Sequence, residues 1–336
     1  MWFVALALLF SEHLLETFGN ETVTGFALQQ GAFVYWGDRL LWRSSPTGEC
    51  RVLRGRESAP LRAACLFDVD RDGHPDVVAS EGDALVWFHW PNGARYVIDS
   101  GAASPDLLPA TLFGRRGVLL IHKHQQVRFY DVPRRTSAPW PYRDIYSIYT
   151  PSWQGGLRLA DIDGDGRPDI LCGDYWIRSP RRFDLPWRLF AVHTWTEEER
   201  SGMLRLAWAG GVLAAAQRAM APARVAWFER PPDPRVQWPQ HRLGEDLALA
   251  MPDSVEMADF DGDGRPDILV AEAGGRGRVV IFRNQGGGRY VPETVAAGGP
   301  VLQARVADVN GDGRPDILVL RRAALAWLEN RTPARR

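Results

Sequence analysis

The sequence predicts an all-β protein: a seven-bladed β-propeller of four-stranded antiparallel blades, with its ring closed by an N-terminal strand. Three observations predict this fold. An acidic nine-residue segment recurs four times. Repeats of about 47 residues fill the chain, and that length is typical of one four-stranded blade. Apolar strands that carry an aromatic residue recur seven times at intervals of 42 to 55 residues, around Trp42, Trp87, Phe129, Trp176, Trp227, Phe282 and Trp327.

Each repeat reads as strand A, an A–B loop, strand B, strand C and strand D. In the second repeat the strands fall near residues 61–67, 77–80, 84–89 and 95–99, and the acidic segment is the A–B loop. Three repeats have short turns instead, at residues 29–31, 113–116 and 210–211, the last being a Gly-Gly hairpin. The acidic segments of the other four occupy residues 68–76, 161–169, 259–267 and 308–316.

The two ends of the chain are expected to complete one blade. The last repeat finishes near Asn330, which leaves no residues for its strand D. Segment 12–17 resembles the strand D segment 240–245, so we expect it to pair with the last repeat and close the ring. Closure removes open sheet edges, which otherwise pair with other chains. The predicted propeller domain spans residues 11–331.

The acidic segments have the composition of a cation-binding loop. The second one reads D-I-D-G-D-G-R-P-D from Asp161 to Asp169. Four carboxylates in nine residues repel one another unless a cation lies among them. Oxygen ligands at positions 1, 3 and 5, followed by a glycine turn at position 6, open a calcium loop. Position 7 offers its backbone carbonyl, and we expect its side chain to point into solvent. Plain Asp-Gly hairpin turns would explain one such segment but not four.

The loop pattern, together with a later strand that ends in Glu329-Asn330, resembles the FG-GAP/VCBS repeats. These repeats build the propellers of integrin α-subunits and occur in many secreted bacterial proteins. The resemblance covers nearly the whole chain and implies up to four structural Ca²⁺ ions, bound by side chains at positions 1, 3, 5 and 9 and by the carbonyl at position 7. The implied ligands are Asp68, Asp70, Asp72, His74, Asp76, Asp161, Asp163, Asp165, Arg167, Asp169, Asp259, Asp261, Asp263, Arg265, Asp267, Asp308, Asn310, Asp312, Arg314 and Asp316.

The charge balance of the sequence gives no support for binding to nucleic acid or to a membrane surface. The net charge is −1 and the isoelectric point about 6.7, so no basic excess favours nucleic acid or an anionic membrane surface.

The apolar run 2–10 is shorter than the ~20 residues of a membrane span. Residues 1–10 read as a signal peptide or truncated leader, although no Lys or Arg precedes the run; a buried strand or a mis-assigned start codon are the alternatives. Calcium loops and the resemblance favour an extracellular or periplasmic location. Cys65 and Cys172 lie in apolar strand patterns and are expected to be buried thiols.

Strand order predicts which face of the ring carries a ligand. The A–B and C–D connections lie on one face, and the B–C and D-to-A connections lie on the other. Segment 138–156 is rich in Trp and Tyr, and residues 122–124 read His-Lys-His at a B–C turn. We assign both segments to the face opposite the acidic loops and expect Trp140 and Trp153 to be exposed there. The alternatives are that the aromatic residues pack between blades and that the histidines are solvated turn residues. The candidate ligand-face residues are Trp140, Tyr142, Trp153, His122 and His124.

The sequence favours a binding protein over an enzyme. It contains no G-x-S-x-G, H-E-x-x-H, phosphate-loop or C-x-x-C motif, and no nucleophile–base pair. The leading hypothesis is a non-catalytic, calcium-stabilised propeller that binds a protein or carbohydrate partner through the face opposite the acidic loops. The alternative is a carbohydrate-active enzyme of the polysaccharide lyase or sugar dehydratase type, with His122, His124, Tyr142 and Tyr149 as its candidate acid–base cluster. A scaffold subunit whose aromatic face is covered by a partner chain is the third hypothesis.

Overall fold

The computed structural model describes residues 9–29, 32–44, 49–56, 59–150, 154–195, 204–219 and 222–333. The described residues form 28 β-strands and a short 3₁₀ helix, Glu245–Leu247. The strands assemble into seven four-stranded antiparallel sheets, each of which is one blade of a propeller. The predicted fold class and number of blades are therefore confirmed.

The strands follow the predicted order A, B, C, D along the chain. In blades 1 to 3 they are β1 (Phe10–Thr17, which belongs to blade 7), β2 (Val23–Gln29), β3 (Ala32–Gly37), β4 (Leu40–Arg43), β5 (Cys50–Arg54), β6 (Leu61–Phe67), β7 (Asp76–Glu81), β8 (Ala84–Phe88), β9 (Arg95–Asp99), β10 (Leu107–Leu112), β11 (Arg115–His122), β12 (Gln126–Asp131) and β13 (Tyr142–Ser147). In blades 4 to 7 they are β14 (Leu157–Ala160), β15 (Asp169–Cys172), β16 (Tyr175–Arg178), β17 (Arg188–Ala191), β18 (Leu204–Ala209), β19 (Val212–Gln217), β20 (Val225–Glu229), β21 (Gln240–Arg242), β22 (Pro252–Ala258), β23 (Asp267–Glu272), β24 (Val279–Asn284), β25 (Tyr290–Ala296), β26 (Val301–Ala307), β27 (Asp316–Arg321) and β28 (Ala324–Asn330).

The N-terminal strand closes the ring as predicted. Strand β1 pairs antiparallel with β28, from Phe10 opposite Asn330 to Thr17 opposite Ala324. The ring of Phe10 meets Phe260 of the neighbouring blade edge-on, with 6.1 Å between the ring centroids. The seventh sheet therefore contains both ends of the described chain. Most of the expected leader, residues 1–8, lies outside the described residues.

The core lies between successive blades. Strands β3, β7 and β23 are buried along their whole length, because one sheet face packs on the preceding blade and the other on the following blade. The recurring aromatic residue lies on strand C in every blade, and Trp87, Trp176 and Phe282 are completely or almost completely buried there. Packing explains why a large ring recurs on strand C, since each blade must fill the gap to its neighbour.

The strand order defines two faces of the ring. The loop face carries the A–B and C–D connections, including the four acidic loops. The mouth face carries the B–C turns and the D-to-A connections.

Cys65 and Cys172 are buried thiols as expected, and Cys50 is exposed. Among the described residues, no helix has the length and apolar character needed to span a bilayer.

Candidate functional site

The first carboxylate of each acidic loop organises the loop backbone. In the second loop, Asp161 Oδ1 accepts hydrogen bonds from the N–H groups of Gly164 (2.8 Å) and Asp165 (3.0 Å), and Oδ2 accepts one from Gly166 (2.9 Å). Asp68, Asp259 and Asp308 accept equivalent bonds in their own loops. The glycine at position 6 has φ of +83° in this loop, a left-handed conformation that a side chain disfavours. The sequence therefore sets a curled loop before any ion arrives.

The fifth position supports the same turn. Asp165 Oδ1 accepts a hydrogen bond from the N–H group of Arg167 at 3.1 Å, and the other three loops repeat this bond. The side chain at position 7 does not always behave as expected. His74 is exposed, but the guanidinium groups of Arg167, Arg265 and Arg314 turn back and ion-pair with the carboxylates at position 5. The prediction that these three arginines point into solvent is wrong, because the crowded carboxylates attract a local cation.

The ninth carboxylate is buried and braces the blade. Asp169 Oδ2 accepts hydrogen bonds from the N–H group of Ile162 (3.2 Å) and the indole of Trp176 (2.8 Å), and Oδ1 accepts one from Ser179 (2.7 Å). Burial raises the pKa of Asp169, against the lowering effect of these donors. The equivalent residue in the first loop is Asp76, whose pKa burial raises to about 6. A buried carboxylate with a raised pKa gains from a nearby cation.

Carboxylates of three loops converge. Ligand oxygens of Asp161, Asp163 and Asp169 lie within 4.8 Å of one another, which brings together positions 1, 3 and 9. Positions 1, 3 and 9 of the first loop and positions 1, 3 and 5 of the third converge in the same way. Clustered carboxylate oxygens on a flexible glycine-containing loop suit a hard cation such as Ca²⁺. The donor set therefore fits the ion implied by the resemblance.

The first loop has an additional nitrogen donor. His89, which follows strand C of the same blade, places Nε2 3.1 Å from Asp70 Oδ2 and 3.9 Å from Asp72 Oδ2. Its Nδ1 lies 3.1 Å from Asn92 Oδ1, and that oxygen also accepts the N–H of Ala94. The loop motif does not reveal His89, because the residue lies 13 positions beyond the end of the loop.

A channel about 890 Å³ in volume opens at the mouth face. The A strands of all seven blades contribute residues to it, and so do the B–C turns that carry Asp83, His122 and Arg218. His122 is only 6% exposed and His124 is half-buried, and both line this opening. Their placement on the face opposite the acidic loops agrees with expectation. The alternative that His122 is a solvated turn residue is wrong, because His122 is the last residue of β11 and is buried.

The aromatic segment divides between the two faces. Trp140 is 3% exposed and lies in the C–D connection of blade 3, on the loop face; its indole donates to the carbonyl of Thr136 at 3.1 Å. The prediction that Trp140 is an exposed platform on the mouth face is wrong, because its ring fills the gap beside Trp87 and the neighbouring blade. Tyr142 is 52% exposed but begins strand β13 at the loop-face end, so its assigned face is also wrong.

The remaining candidates follow the other end of that strand. Tyr149 is 83% exposed in the D-to-A connection on the mouth face. Trp153 lies outside the described residues. Arg128 places its guanidinium 3.8 Å from the ring centroid of Tyr142, so this tyrosine packs on a cation of its own blade. Of the aromatic residues proposed for the mouth face, Tyr149 is therefore the one that the described structure exposes there.

Sequence reasoning missed the arginines of the channel. Arg62, Arg158 and Arg205 line the opening from three A strands. Each follows leucine in a Leu-Arg-x-Ala segment at the start of its strand. This recurring segment could have revealed the arginines in the sequence. An arginine inside an otherwise apolar strand needs a polar environment, which the channel provides.

Comparison with known proteins supports the fold and the repeat. Residues 222–319 match the model of the FG-GAP-like repeat. Together with the seven four-stranded blades, this match confirms the resemblance to FG-GAP/VCBS repeat propellers. No curated protein is significantly similar to the sequence.

Solved structures with similar folds have very different sequences. The AfRom2 CNH domain is 9% identical with a TM-score of 0.57, covering 95% of this chain and 99% of its own. YCF48 from Cyanidioschyzon merolae is 9% identical with a TM-score of 0.59, covering 94% and 98%. The Dos1 propeller is 8% identical with a TM-score of 0.54, covering 95% and 96%. At these identities the likeness concerns the propeller fold alone.

Proposed function

We propose that this FG-GAP-like repeat propeller is a non-catalytic, calcium-stabilised binding protein that works outside the cytoplasm. Ions on the loop face hold the scaffold, and the mouth face binds a protein or carbohydrate partner. The observation that carries the proposal is the convergence of carboxylate oxygens within 4.8 Å in three of the acidic loops. An extracellular or periplasmic location supplies calcium in the range of about 10⁻⁴–10⁻³ M that extracellular calcium modules bind.

The donor set favours calcium over magnesium. Ca²⁺ accepts about six to eight oxygen ligands in a flexible geometry, whereas Mg²⁺ demands a near-ideal octahedron and retains several waters. Each loop offers carboxylates together with a backbone carbonyl, and its glycines allow the chain to curl around an ion. Calcium would also relieve the repulsion among these carboxylates, next to the hinge between the two inner strands of the blade.

Calorimetry and thermal unfolding test the scaffold role. We expect binding of up to four calcium ions and a lower melting temperature in EDTA. Replacing Asp161 with asparagine should remove one ion from the measured stoichiometry. Asp184→Asn is the matched control, because Asp184 is an exposed aspartate outside the acidic loops. A melting temperature that EDTA leaves unchanged would refute a stabilising role for the ions.

Binding to polymers tests the second part of the proposal. The mouth face presents Tyr149 and the channel opening to solvent. We would incubate the protein with a panel of polysaccharides in millimolar calcium and measure both retention and soluble product. Retention without product supports a carbohydrate-binding propeller. Absence of retention by every polymer would reject carbohydrate as the partner and leave a protein.

A carbohydrate-active enzyme is the second candidate function. The observation in its favour is the channel, which brings His122 and His124 to the same opening as Asp83 and Asp106. Histidine and carboxylate side chains are the groups that most often transfer protons in catalysis. Release of soluble product from any one polymer would favour this candidate over the non-catalytic one. His122→Gln should then abolish the release, while Arg289→Gln on the loop face should leave it unchanged.

A further inference from the structure

The channel is lined by more positive than negative side chains. Six cationic residues line it: Arg62, Lys123, Arg158, Arg205, Arg218 and Arg305. Three carboxylates, those of Asp83, Asp106 and Asp253, face them. Six cations minus three carboxylates leave an excess of three positive charges, or two when Glu256, the ion-pair partner of Arg305, is included. The chain as a whole has a net charge of −1, so this excess is local.

Two of the arginines share one carboxylate inside the channel. Asp253 Oδ1 lies 2.9 Å from Arg205 Nη2 and 3.0 Å from Arg218 Nε. One carboxylate thus serves two guanidinium groups, and Nη1 of Arg205 is buried with no hydrogen-bond partner among the described residues. Asp106 accepts a hydrogen bond from the N–H group of Gly156 at 2.9 Å. Nη1 of Arg205 therefore remains without an acceptor in the described part of the chain, although the carboxylates of Asp253 and Asp106 lie at the same channel.

Arg158 is a half-buried cation of this set. No carboxylate among the described residues forms an ion pair with it, and its Nη1 donates to the carbonyl oxygen of Leu157 at 2.8 Å. Burial lowers the pKa of Arg158; the nearby carboxylates of Glu256 and Asp106 oppose this shift, and the positive charges of Arg305 and Arg205 reinforce it. A guanidinium group has five N–H donors in a fixed fork that matches the oxygens of a carboxylate or phosphate. Among the described residues, the carbonyl oxygen of Leu157 is the one acceptor given to this guanidinium group.

A buried histidine lies beside the same opening. His122 lines the channel and is 6% exposed, and its Nδ1 has no hydrogen-bond partner among the described residues. A buried polar atom without a partner costs free energy, which a bound ligand recovers. Lys123 and Arg62 are exposed at the rim, where they attract anions from solution.

We propose that the mouth of the channel is an oxyanion site, in which Arg158 and the unpartnered Nη1 of Arg205 hold a carboxylate or phosphate group. His122 lines the same opening, and Arg62 and Lys123 attract the anion from solution. This inference rests on the proposed function only in placing a ligand on the mouth face; it does not require calcium. It narrows the partner to a molecule that presents a charged oxyanion to the channel.

Titration with small anions tests the site. Calorimetric titrations with inorganic phosphate and with citrate, at constant ionic strength in the presence of EDTA, use one probe for each source of the oxyanion. We expect saturable binding of at least one of them at one ion per chain. Arg158→Gln should weaken it at least tenfold. Arg289→Gln, which removes the same charge from the loop face, should leave the affinity unchanged.

The outcomes are distinguishable from failure of the proposed function. Binding of phosphate alone identifies a phosphate-bearing ligand, and binding of citrate alone a carboxylate-bearing one. Lack of saturable binding of either anion, or equal affinity in the Arg158→Gln and unmodified proteins, would overturn the oxyanion site. If Arg158→Gln does not fold, the double variant Arg62→Gln/Lys123→Gln at the exposed rim decides, with an expected loss of several-fold. Calcium stoichiometry and EDTA-dependent melting are measured separately and do not enter these outcomes.

Discussion

Replacement of Asp169 by alanine would separate bracing of the blade from ion binding. The Asp169 carboxylate is completely buried and accepts hydrogen bonds from three groups: the N–H of Ile162, the indole of Trp176 and the N–H of Ser179. Alanine removes the acceptor of all three bonds. The three donors lie in the buried part of the blade, where water reaches them less readily than in the exposed loop.

The structure sets the expected magnitude. A buried donor without a partner costs about 1–3 kcal/mol, and the costs of neighbouring donors are not additive, so we expect the free energy of unfolding in EDTA to fall by about 4 kcal/mol. The unfolding entropy of a 336-residue chain is about 0.7 kcal/mol/K, so the melting temperature should fall by about 6 °C.

Asp161→Ala is the informative comparison. Asp161 also accepts three backbone hydrogen bonds, but they lie in the exposed part of the loop. Water can satisfy those donors after the substitution, and we expect a loss of about 1 kcal/mol in EDTA. In calcium, each variant should additionally lose the stabilisation contributed by one ion, which is about 2.7 kcal/mol at a calcium concentration one hundred times the dissociation constant.

Thermal and urea unfolding, followed by far-UV circular dichroism in EDTA and again in calcium, measures these losses. Asp184→Ala serves as the control for removing an exposed carboxylate outside the loops. If Asp169→Ala is no more destabilising in EDTA than Asp161→Ala, the ninth carboxylate does not brace the blade and the reasoning from its burial is refuted.

Two further predictions concern ring closure and acid stability. Phe10→Ala should destabilise the propeller by about 3 kcal/mol, because the ring is 7% exposed and packs between blades. Leu14→Ala on the same strand should change the free energy of unfolding by less than about 0.5 kcal/mol, because Leu14 is 64% exposed. Equal losses in urea unfolding would contradict closure of the ring by this strand. Burial acts to raise the pKa of Glu272, but hydrogen bonds from Arg278 and Ala250 outweigh it and lower the pKa below its ordinary value of 4.5. The stability that Glu272 contributes is therefore present above about pH 4.5 and lost as the pH falls through the folded-state pKa, so Glu272→Gln should flatten the acid limb of the stability–pH curve; an unchanged slope would contradict this.

Much of the fold was predictable because the relevant signals are local and repeated. The strand C aromatics and the acidic loops recur with the blade period, so each blade restates the same pattern. Ring closure was also predictable, since residues 12–17 resemble a strand D and the last repeat lacks one. The structure confirms both, with β1 paired to β28 along its length.

The candidate site was predictable only in part. The acidic loops contain their own ligands within nine residues, so their carboxylates could be named from sequence. Trp140 was misplaced because its burial depends on Trp87 and on the adjacent blade, which are distant in sequence. The channel was missed for the same reason: one to three residues from each of seven A strands contribute to its lining.

The repeat, the number of blades, the positions of the four acidic loops and the strand that closes the ring can all be read from the amino-acid sequence. Those features depend on periodicity and on residues that are close along the chain. Three features become evident only in the folded ring: the ninth carboxylate is buried, His122 is enclosed, and Arg158 has no ion-pair partner among the described residues. Burial and charge compensation depend on which blades meet around the hub, and that arrangement exists only after the ring has closed.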